Sequence, residues 1–185
     1  MFDKKLWISL LLLGAMSGAM ACEINQQAIA DVRLGMNIKQ VKQKFPQAKI
    51  TRTSDGEGLA LIDIKLKPNL SLLAYADEED ANKPVNQNRK ITWLATDSAV
   101  CKTKAGVYAG MKLAEVEKYY GNLREIIESE IEAREFAQFS RQPTWLNIQA
   151  ESGAGIFPQN TNSDGAKRSK RYQKNATVVR LSISQ

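Results

Sequence analysis

Two stretches of this chain carry the same residue pattern at a fixed distance of 75 residues. Gly35 and Met36 recur as Gly110 and Met111, and residues of like character recur at the same distance on both sides of this pair. The further matches are Val32 with Val107, Ile38 with Leu113, Val41 with Val116, Phe45 with Tyr120, Leu61 with Phe136, Ile64 with Phe139, Pro68 with Pro143, Leu70 with Trp145, and Leu73 with Ile148. A constant distance held over this length is typical of a duplicated folding unit. The sequence therefore predicts two tandem repeats, residues 22–100 and residues 101–185.

Each predicted repeat begins with a short helix. Apolar residues at helical spacing run from Ile38 to Phe45, Asn37 is a suitable N-cap, and Pro46 cannot continue the helix. The matching residues of the second repeat have the same spacing and end at Gly121, which suits the left-handed position after a helix. We therefore expect one helix over residues 37–45 and a second that stops at Gly121.

Strands follow each helix. Ile62, Ile64 and Leu66 alternate with polar residues, which is the pattern of a half-buried strand. The other predicted strands are residues 49–53 at an edge, 70–76 and 90–96 in the first half, and 134–141, 145–150 and 177–183 in the second. Residues 124–133 prefer a helix by composition while the repeat favours a strand, so their structure stays open. The expected fold is α+β, with three or four antiparallel strands after each helix.

The first 21 residues have the features of a secretory signal peptide. Lys4 and Lys5 precede an apolar stretch over residues 6–20, and Ala19 and Ala21 form an Ala-x-Ala cleavage site before Cys22. The apolar stretch is shorter than the ~20 residues that a membrane-spanning helix needs. We expect cleavage after residue 21 and a periplasmic or secreted protein. The alternative is a lipoprotein anchored at Cys22.

Cys22 and Cys101 are the only cysteines of the chain, and each is the first residue of one repeat, upstream of its Gly-Met pair. Disulfides form and persist in the oxidising compartments that exported proteins reach. A disulfide between these two residues is therefore expected. A catalytic thiol is the weaker interpretation, because the chain has no histidine to activate it.

The absence of histidine also excludes several enzyme classes. Serine-histidine-acid hydrolysis, histidine zinc sites and imidazole acid-base catalysis all require this residue. No phosphate-binding glycine loop is present, and Gly153 and Gly155 lack the spacing of a dinucleotide site. A carboxylate pair that hydrolyses glycans stays an alternative, and its candidates are Glu125, Glu128, Glu130, Glu132 and Glu135. The sequence therefore predicts a binding protein that is not an enzyme and needs no cofactor or metal.

The repeats differ most before their last strand. Ile91 aligns with Val178 at a distance of 87 residues, so the second repeat has gained about a dozen residues there. This insertion carries a basic segment that also contains Tyr172, and its cations are Lys167, Arg168, Lys170, Arg171 and Lys174. Such a segment suits an anionic envelope polymer or an acidic partner, and a solvated hairpin tip is the alternative. Export disfavours nucleic acid, and the equivalent first-half loop is acidic at residues 77–80.

Two tryptophans are candidate anchors for a partner. Trp93 and Trp145 lie in different repeats, and both are predicted to fall on strands. Tryptophan on an exposed sheet face often contributes most of the energy of a protein interface. At least one of the two is expected to belong to the core.

Both helix starts contain a Gly-Met-x-x-x-x-Val segment, at residues 35–41 and 110–116. This motif resembles the one in the beta-lactamase-inhibitor-protein-like fold, which is shared with small outer-membrane assembly lipoproteins of the SmpA/OmlA type. The resemblance implies an exported protein of two tandem copies whose concave sheet face clasps a partner. The implied roles are those of an inhibitor, an immunity protein or an envelope assembly factor acting on an unknown envelope protein. No inhibitory residue can be transferred, because the likeness concerns the scaffold.

Overall fold

The computed structural model of the protein describes residues 22–129, 133–158 and 167–185. The expected signal peptide and the candidate carboxylates Glu130 and Glu132 lie outside the described residues. Among the described residues, no helix has the length and apolar character that crossing a membrane requires.

Two helices and thirteen strands make up the described part of the chain. The helices are α1 (Ile38–Lys44) and α2 (Leu113–Tyr120). The strands are β1 (Cys22–Asn25), β2 (Ala28–Ile29), β3 (Val32–Arg33), β4 (Lys49–Ser54), β5 (Ala60–Lys67), β6 (Leu70–Tyr75), β7 (Trp93–Thr96), β8 (Cys101–Thr103), β9 (Leu123–Glu128), β10 (Glu135–Phe139), β11 (Leu146–Ala150), β12 (Lys167–Ser169) and β13 (Val178–Ser184). The fold is thus α+β and mostly β, in agreement with the predicted class.

The strands form one large and one small sheet. The large sheet has nine strands, all antiparallel, in the order β12-β9-β10-β11-β13-β7-β6-β5-β4. Strand β7 pairs with β13 in its middle, so strands from both halves of the chain share one hydrogen-bonded layer. The small sheet has the order β3-β2-β1-β8. A contiguous core includes buried residues of both helices, the small sheet and one face of the large sheet.

The ends of both helices follow the chemistry predicted from the sequence. The Asn37 side chain accepts a hydrogen bond from the Gln40 N–H, and the Gln40 side chain accepts one from the Asn37 N–H. This reciprocal capping satisfies two backbone donors that a helix start leaves unpaired. Helix α2 ends at Gly121, whose φ of +75° is accessible to glycine without a steric penalty. Both predicted helices are therefore confirmed to within a residue or two.

The two helix starts make equivalent backbone contacts. Gly35 N–H donates to the Ile91 carbonyl at 2.7 Å, and Gly110 N–H donates to the Val178 carbonyl at 2.7 Å. In return, Ile91 N–H donates to Met36 and Val178 N–H donates to Met111. Both glycines have positive φ, +82° and +96°. The alignment of Ile91 with Val178, which revealed the insertion, thus pairs residues with the same structural role.

The first part of the segment that the sequence left open, residues 124–128, is a strand. Residues 123–128 form β9, which pairs with β10 on one side and β12 on the other. Ile126 is fully buried, and Ile127 lies opposite Phe136. Pairing with two neighbouring strands outweighs the weak helix propensity of this glutamate-rich sequence, because propensity is only a few tenths of a kcal/mol per residue.

The predicted disulfide is present. Cys22 and Cys101 are bonded and lie opposite each other in the parallel pair β1 and β8. The small sheet in which they lie was not predicted, because strands of two to four residues carry little periodic signal. The disulfide indicates an oxidising, non-cytoplasmic location.

Val116 provides a test of the core. It is fully buried on α2, and we expect Val116→Ala to lower the free energy of unfolding by about 1–3 kcal/mol through lost burial and a residual cavity. Val179 on β13 is 36% exposed, so Val179→Ala should change stability by less than about 0.5 kcal/mol. Urea unfolding of both variants measures the difference. Equal stability of the two variants would contradict the position of α2 in the core.

Candidate functional site

The large sheet carries an open cavity of about 610 Å³ on the face that is turned away from the helices. Its lining comes from β5, β6, β7, β13, β11, β10 and β9, and therefore from both halves of the chain. Successive side chains of a strand point to opposite faces, so the residues that alternate with the core residues line this cavity. The volume lies in the range of about 300–1,000 Å³ that is usual for small-ligand sites.

One wall of the cavity is apolar and aromatic. This wall is formed by adjacent residues of three neighbouring strands, Leu61 of β5, Tyr75 of β6 and Trp93 of β7. Tyr75 lies directly opposite Trp93, and the register of β5 with β6 places Leu61 beside Tyr75. Tyr75 and Trp93 are half-buried. Leu59, which is 41% exposed, extends this wall toward the β4–β5 turn. The aromatic rings thus present partly exposed apolar area inside a concavity.

The opposite wall carries three neutral amides beside an aromatic ring. Gln138 of β10 and Asn147 of β11 occupy neighbouring positions, and Gln149 lies opposite Phe136. Gln138 and Asn147 are exposed and Gln149 is half-buried, and the side-chain hydrogen bonds among the described residues do not involve these three amides. Each amide group has two N–H donors and a carbonyl acceptor available for a ligand or for water.

Charged residues lie at the centre and at the rim of the cavity. Arg180 and Ser182 line it from β13, which is the middle of the sheet. The Arg134 guanidinium lies 3.5 Å from the Asp55 carboxylate, although Arg134 directly precedes β10 and Asp55 directly follows β4, in opposite halves of the chain. The two parts of the sheet therefore approach each other across this face, which makes the face concave.

The two predicted tryptophan anchors have different surroundings. Trp93 lines the cavity. Trp145 lies in the turn before β11, where it is partly buried against the core, and it does not line the cavity. Strand β11 therefore begins one residue later than predicted. Neither tryptophan is among the buried core residues, although at least one was expected to be.

The basic segment is partly folded onto the sheet and is not entirely a loop. Residues 167–169 form the edge strand β12, where Lys167 pairs with Glu128 at 2.7 Å and Arg168 pairs with Glu125 at 2.8 Å. Each cation is thus largely neutralised by a carboxylate of β9. Lys170, Arg171 and Lys174 are exposed, and they form no ion pair with the residues that the structure describes.

Tyr172 is part of the scaffold. Its hydroxyl donates a hydrogen bond to Glu117 Oε2 of α2 at 3.0 Å, and its ring packs against the core. Burial, together with this hydrogen bond and the negative charge of Glu117, raises the pKa of Tyr172 to about 12. Tyr172, which the sequence places within the possible anion-binding segment, therefore attaches that segment to α2.

The raised pKa of Tyr172 predicts a loss of stability at high pH. The folded state favours the protonated phenol, so this contribution is complete below the unfolded pKa of 10.0 and disappears as the pH rises to about 12. We expect the stability of the parent to fall more steeply over this interval than that of Tyr172→Phe. Ultraviolet titration of phenolate in both proteins measures the pKa directly. The parent should show a phenolate titration step near pH 12 that the variant lacks. If the step that the variant lacks lies near pH 10, this assignment is wrong.

The acidic loop of the first half is also tied to its sheet. Arg52 of β4 pairs with Glu78 and donates to the carbonyls of Lys83 and Pro84. β4 is the first strand after α1, and β9 is the first strand after α2. The basic Arg52 of β4 holds the acidic loop of the first half, and acidic residues of β9 hold the basic segment of the second half. Part of each charge run, Glu78 in the first half and Lys167 and Arg168 in the second, thus has a structural role.

No cluster of three or more metal-ligating side chains occurs among the residues that the structure describes. Of the five candidate carboxylates, Glu125 and Glu128 are paired with cations. Glu135 is buried and accepts hydrogen bonds from the N–H groups of Gly153 and Gly155 at 2.6 and 2.5 Å. All three carboxylates therefore have structural partners.

The fold and the cavity define an α+β protein in which one antiparallel sheet curves around a ligand-sized concavity. No protein-family model matches the chain, and no curated protein matches it in sequence. Its fold is similar to that of the uncharacterized protein yfeY from Escherichia coli, with a TM-score of 0.53 and 11% sequence identity. The match covers 88% of this chain and 99% of yfeY. At this identity the likeness concerns the fold alone.

Proposed function

We propose that this chain is an exported, non-enzymatic binding protein that takes its partner on the concave face of the large sheet. The observation that carries the proposal is the cavity of 610 Å³, which combines Tyr75, Trp93 and Phe136 with hydrogen-bonding amides. Concave sites with aromatic lining and a few convergent polar groups are the usual places for ligands in proteins.

We also propose that residues 22–100 and 101–185 are two copies of one unit. The equivalent hydrogen bonds of Gly35 and Gly110 support this proposal, as does the use of strands from both halves in one face. A curved face made by two copies is what the resemblance to the beta-lactamase-inhibitor-protein-like and SmpA/OmlA-type proteins implies. An inhibitor, immunity or assembly role is therefore proposed as the broad class.

The proposed export fits the disulfide between Cys22 and Cys101. The same bond argues against a lipoprotein, because a lipid anchor would need the sulfur of Cys22 for its thioether linkage. A periplasmic or secreted protein that starts at Cys22 is the form we propose. The intact mass of the non-reduced exported protein distinguishes this form from a diacylated chain.

A glycan hydrolase is a weaker proposal than a binding protein. Retaining and inverting enzymes need one free acid and one free base or nucleophile at a defined separation. The structural partners of Glu125, Glu128 and Glu135 leave these three carboxylates poorly suited to such roles. Turnover of cell-wall fragments by the purified protein would favour the hydrolase over the binding protein.

The concave face and the basic segment can be compared in one binding experiment. We expect Trp93→Ala with Phe136→Ala to reduce the retention of envelope material on immobilised protein by at least about tenfold, since buried aromatic anchors contribute 2 kcal/mol or more. Replacing Lys167, Arg168, Lys170, Arg171 and Lys174 by serine should leave this retention nearly unchanged at moderate salt. Trp145→Ala is the matched tryptophan control, and the melting temperature of each variant checks that it is folded.

The opposite result would favour another site. If the serine variant loses binding at low ionic strength and the aromatic variant keeps it, the protein binds a polyanion through its basic segment. Equal binding by all variants and the parent would refute the concave face as the binding site.

A further inference from the structure

We propose that the cavity binds a neutral saccharide, with the apolar face of a sugar ring on the aromatic wall and its hydroxyl groups on the amides. This inference rests on the proposed function, because it assumes that the concave face is the binding site. It goes further by naming the chemistry of the ligand, and it selects the envelope role among the proposed ones, because an inhibitor or an immunity protein would take a protein partner on this face. The residues that carry it are Trp93 and Tyr75 on one side and Gln138, Asn147 and Gln149 on the other.

The amides determine that the ligand must form hydrogen bonds. They sit at adjacent positions on β10 and β11, and they make no hydrogen bonds within the described chain. A ligand that covered them without pairing them would lose about 1–3 kcal/mol for each unsatisfied group. A hydrocarbon chain is therefore a poor occupant, although much of the wall is apolar.

Most of the polar groups in the lining are uncharged. Arg134 and Asp55 at the rim form an ion pair, and Arg180 is the third charged residue of the lining. The other polar groups are the three amides, the hydroxyl groups of Tyr75 and Ser182, and the Trp93 indole. Recognition of phosphate or carboxylate groups commonly uses arginine forks whose charge is not already matched by a carboxylate. The three amides offer donors and acceptors together, which suits a hydroxyl group because it also acts as both.

The backbone of the face disfavours an extended peptide. Peptides that bind to sheets usually add a strand at an edge, where main-chain groups are unpaired. The strands under this cavity are interior strands of the nine-stranded sheet, and their main-chain groups are paired with neighbouring strands. A ligand on this face therefore meets side chains only. A sugar ring, with C–H groups on its faces and hydroxyl groups at its rim, matches an aromatic wall beside an amide wall.

The test is titration of the purified protein with two neutral probes, an N-acetylglucosamine tetramer and a maltose-type glucan tetramer. Calorimetry measures affinity, and tryptophan fluorescence of the parent compared with Trp93→Phe assigns the signal to the cavity. We expect saturable binding of at least one probe, with little dependence on salt because the ligand is uncharged. Gln138→Ala with Gln149→Ala should weaken this binding at least about tenfold, which corresponds to about 1.4 kcal/mol.

The matched control is Gln43→Ala with Gln47→Ala, two exposed glutamines that do not line the cavity. This control should bind the saccharide as the parent does. Equal affinity of the cavity variant and the parent, or no saturable binding of either probe by folded parent protein, would overturn the saccharide inference. If envelope material is still retained through Trp93 and Phe136 in that case, the concave face stays the binding site and the ligand is of another class, such as a peptide. If that retention is also independent of Trp93 and Phe136, the proposed function fails as well.

Discussion

Replacing Cys22 and Cys101 together by alanine is expected to lower the free energy of unfolding by about 4 kcal/mol. The bond joins residues 79 positions apart, and in the chain-entropy account a loop of this size restricts the unfolded chain by about that amount. Both residues are buried where β1 pairs with β8, so alanine also leaves a small void in the core. Urea unfolding of the oxidised parent, the reduced parent and the double variant measures the effect.

The slope of the unfolding transition provides a control. Without the bond, the unfolded chain exposes more surface, so the dependence of stability on urea should become steeper as the midpoint falls. A reductant should lower the urea midpoint of the parent nearly to that of the double variant. The small remaining difference is the effect of the void that alanine leaves. The reductant should not change the midpoint of the variant. A parent whose midpoint is the same with and without reductant would show that the bond is absent from the protein in solution.

Glu135→Ala is expected to destabilise the protein by about 2–3 kcal/mol. Glu135 is 2% exposed, and its carboxylate accepts hydrogen bonds from the N–H groups of Gly153 and Gly155. Hydrogen bonds to a charged group contribute more than neutral ones, and their removal leaves two donors of the β11–β12 connection without their acceptor. Glu135→Gln should lose part of this stability as well, because one end of an amide is a donor facing another donor.

Glu128→Ala is the matched control for this change. Glu128 lies opposite Glu135 on the neighbouring strand, but it pairs with Lys167, whose side chain is 52% exposed. Pairs of this kind contribute about 0–1 kcal/mol, so this variant should be close to the parent in stability. Similar destabilisation by both substitutions would mean that Glu135 does not hold the connection at residues 151–158.

Local features of the sequence predicted the parts of the fold that depend on local chemistry. The helix start at Asn37 and the helix stop at Gly121 follow from capping and from glycine conformation, which involve only a few neighbouring residues. Alternation at residues 62–66 predicted β5 for the same reason. The cysteine pair was predicted from composition, because two cysteines allow a single intramolecular disulfide.

The candidate site could be predicted only in part. Trp93 was named as an anchor because a large aromatic side chain on a strand has few other roles. Gln138, Asn147 and Gln149 were missed, although a signal was present, since they alternate with the buried residues Ala137, Phe139, Leu146, Ile148 and Ala150. The alternation shows that the amides share one face, but it does not show that this face is concave.

Short-range sequence patterns were sufficient for the helix boundaries, most of the strands and the disulfide, because each depends on a few residues or on the only possible pairing. The tertiary structure decided the pairing of β7 with β13 and the contact between Asp55 and Arg134, because no local pattern relates these distant residues to each other. The same long-range packing made residues 123–128 a strand against their local preference and placed Lys167 and Arg168 beside carboxylates. Since cross-strand contacts contribute more energy than residue propensity, the curvature of the sheet and the cavity on its concave face exist only in the folded chain.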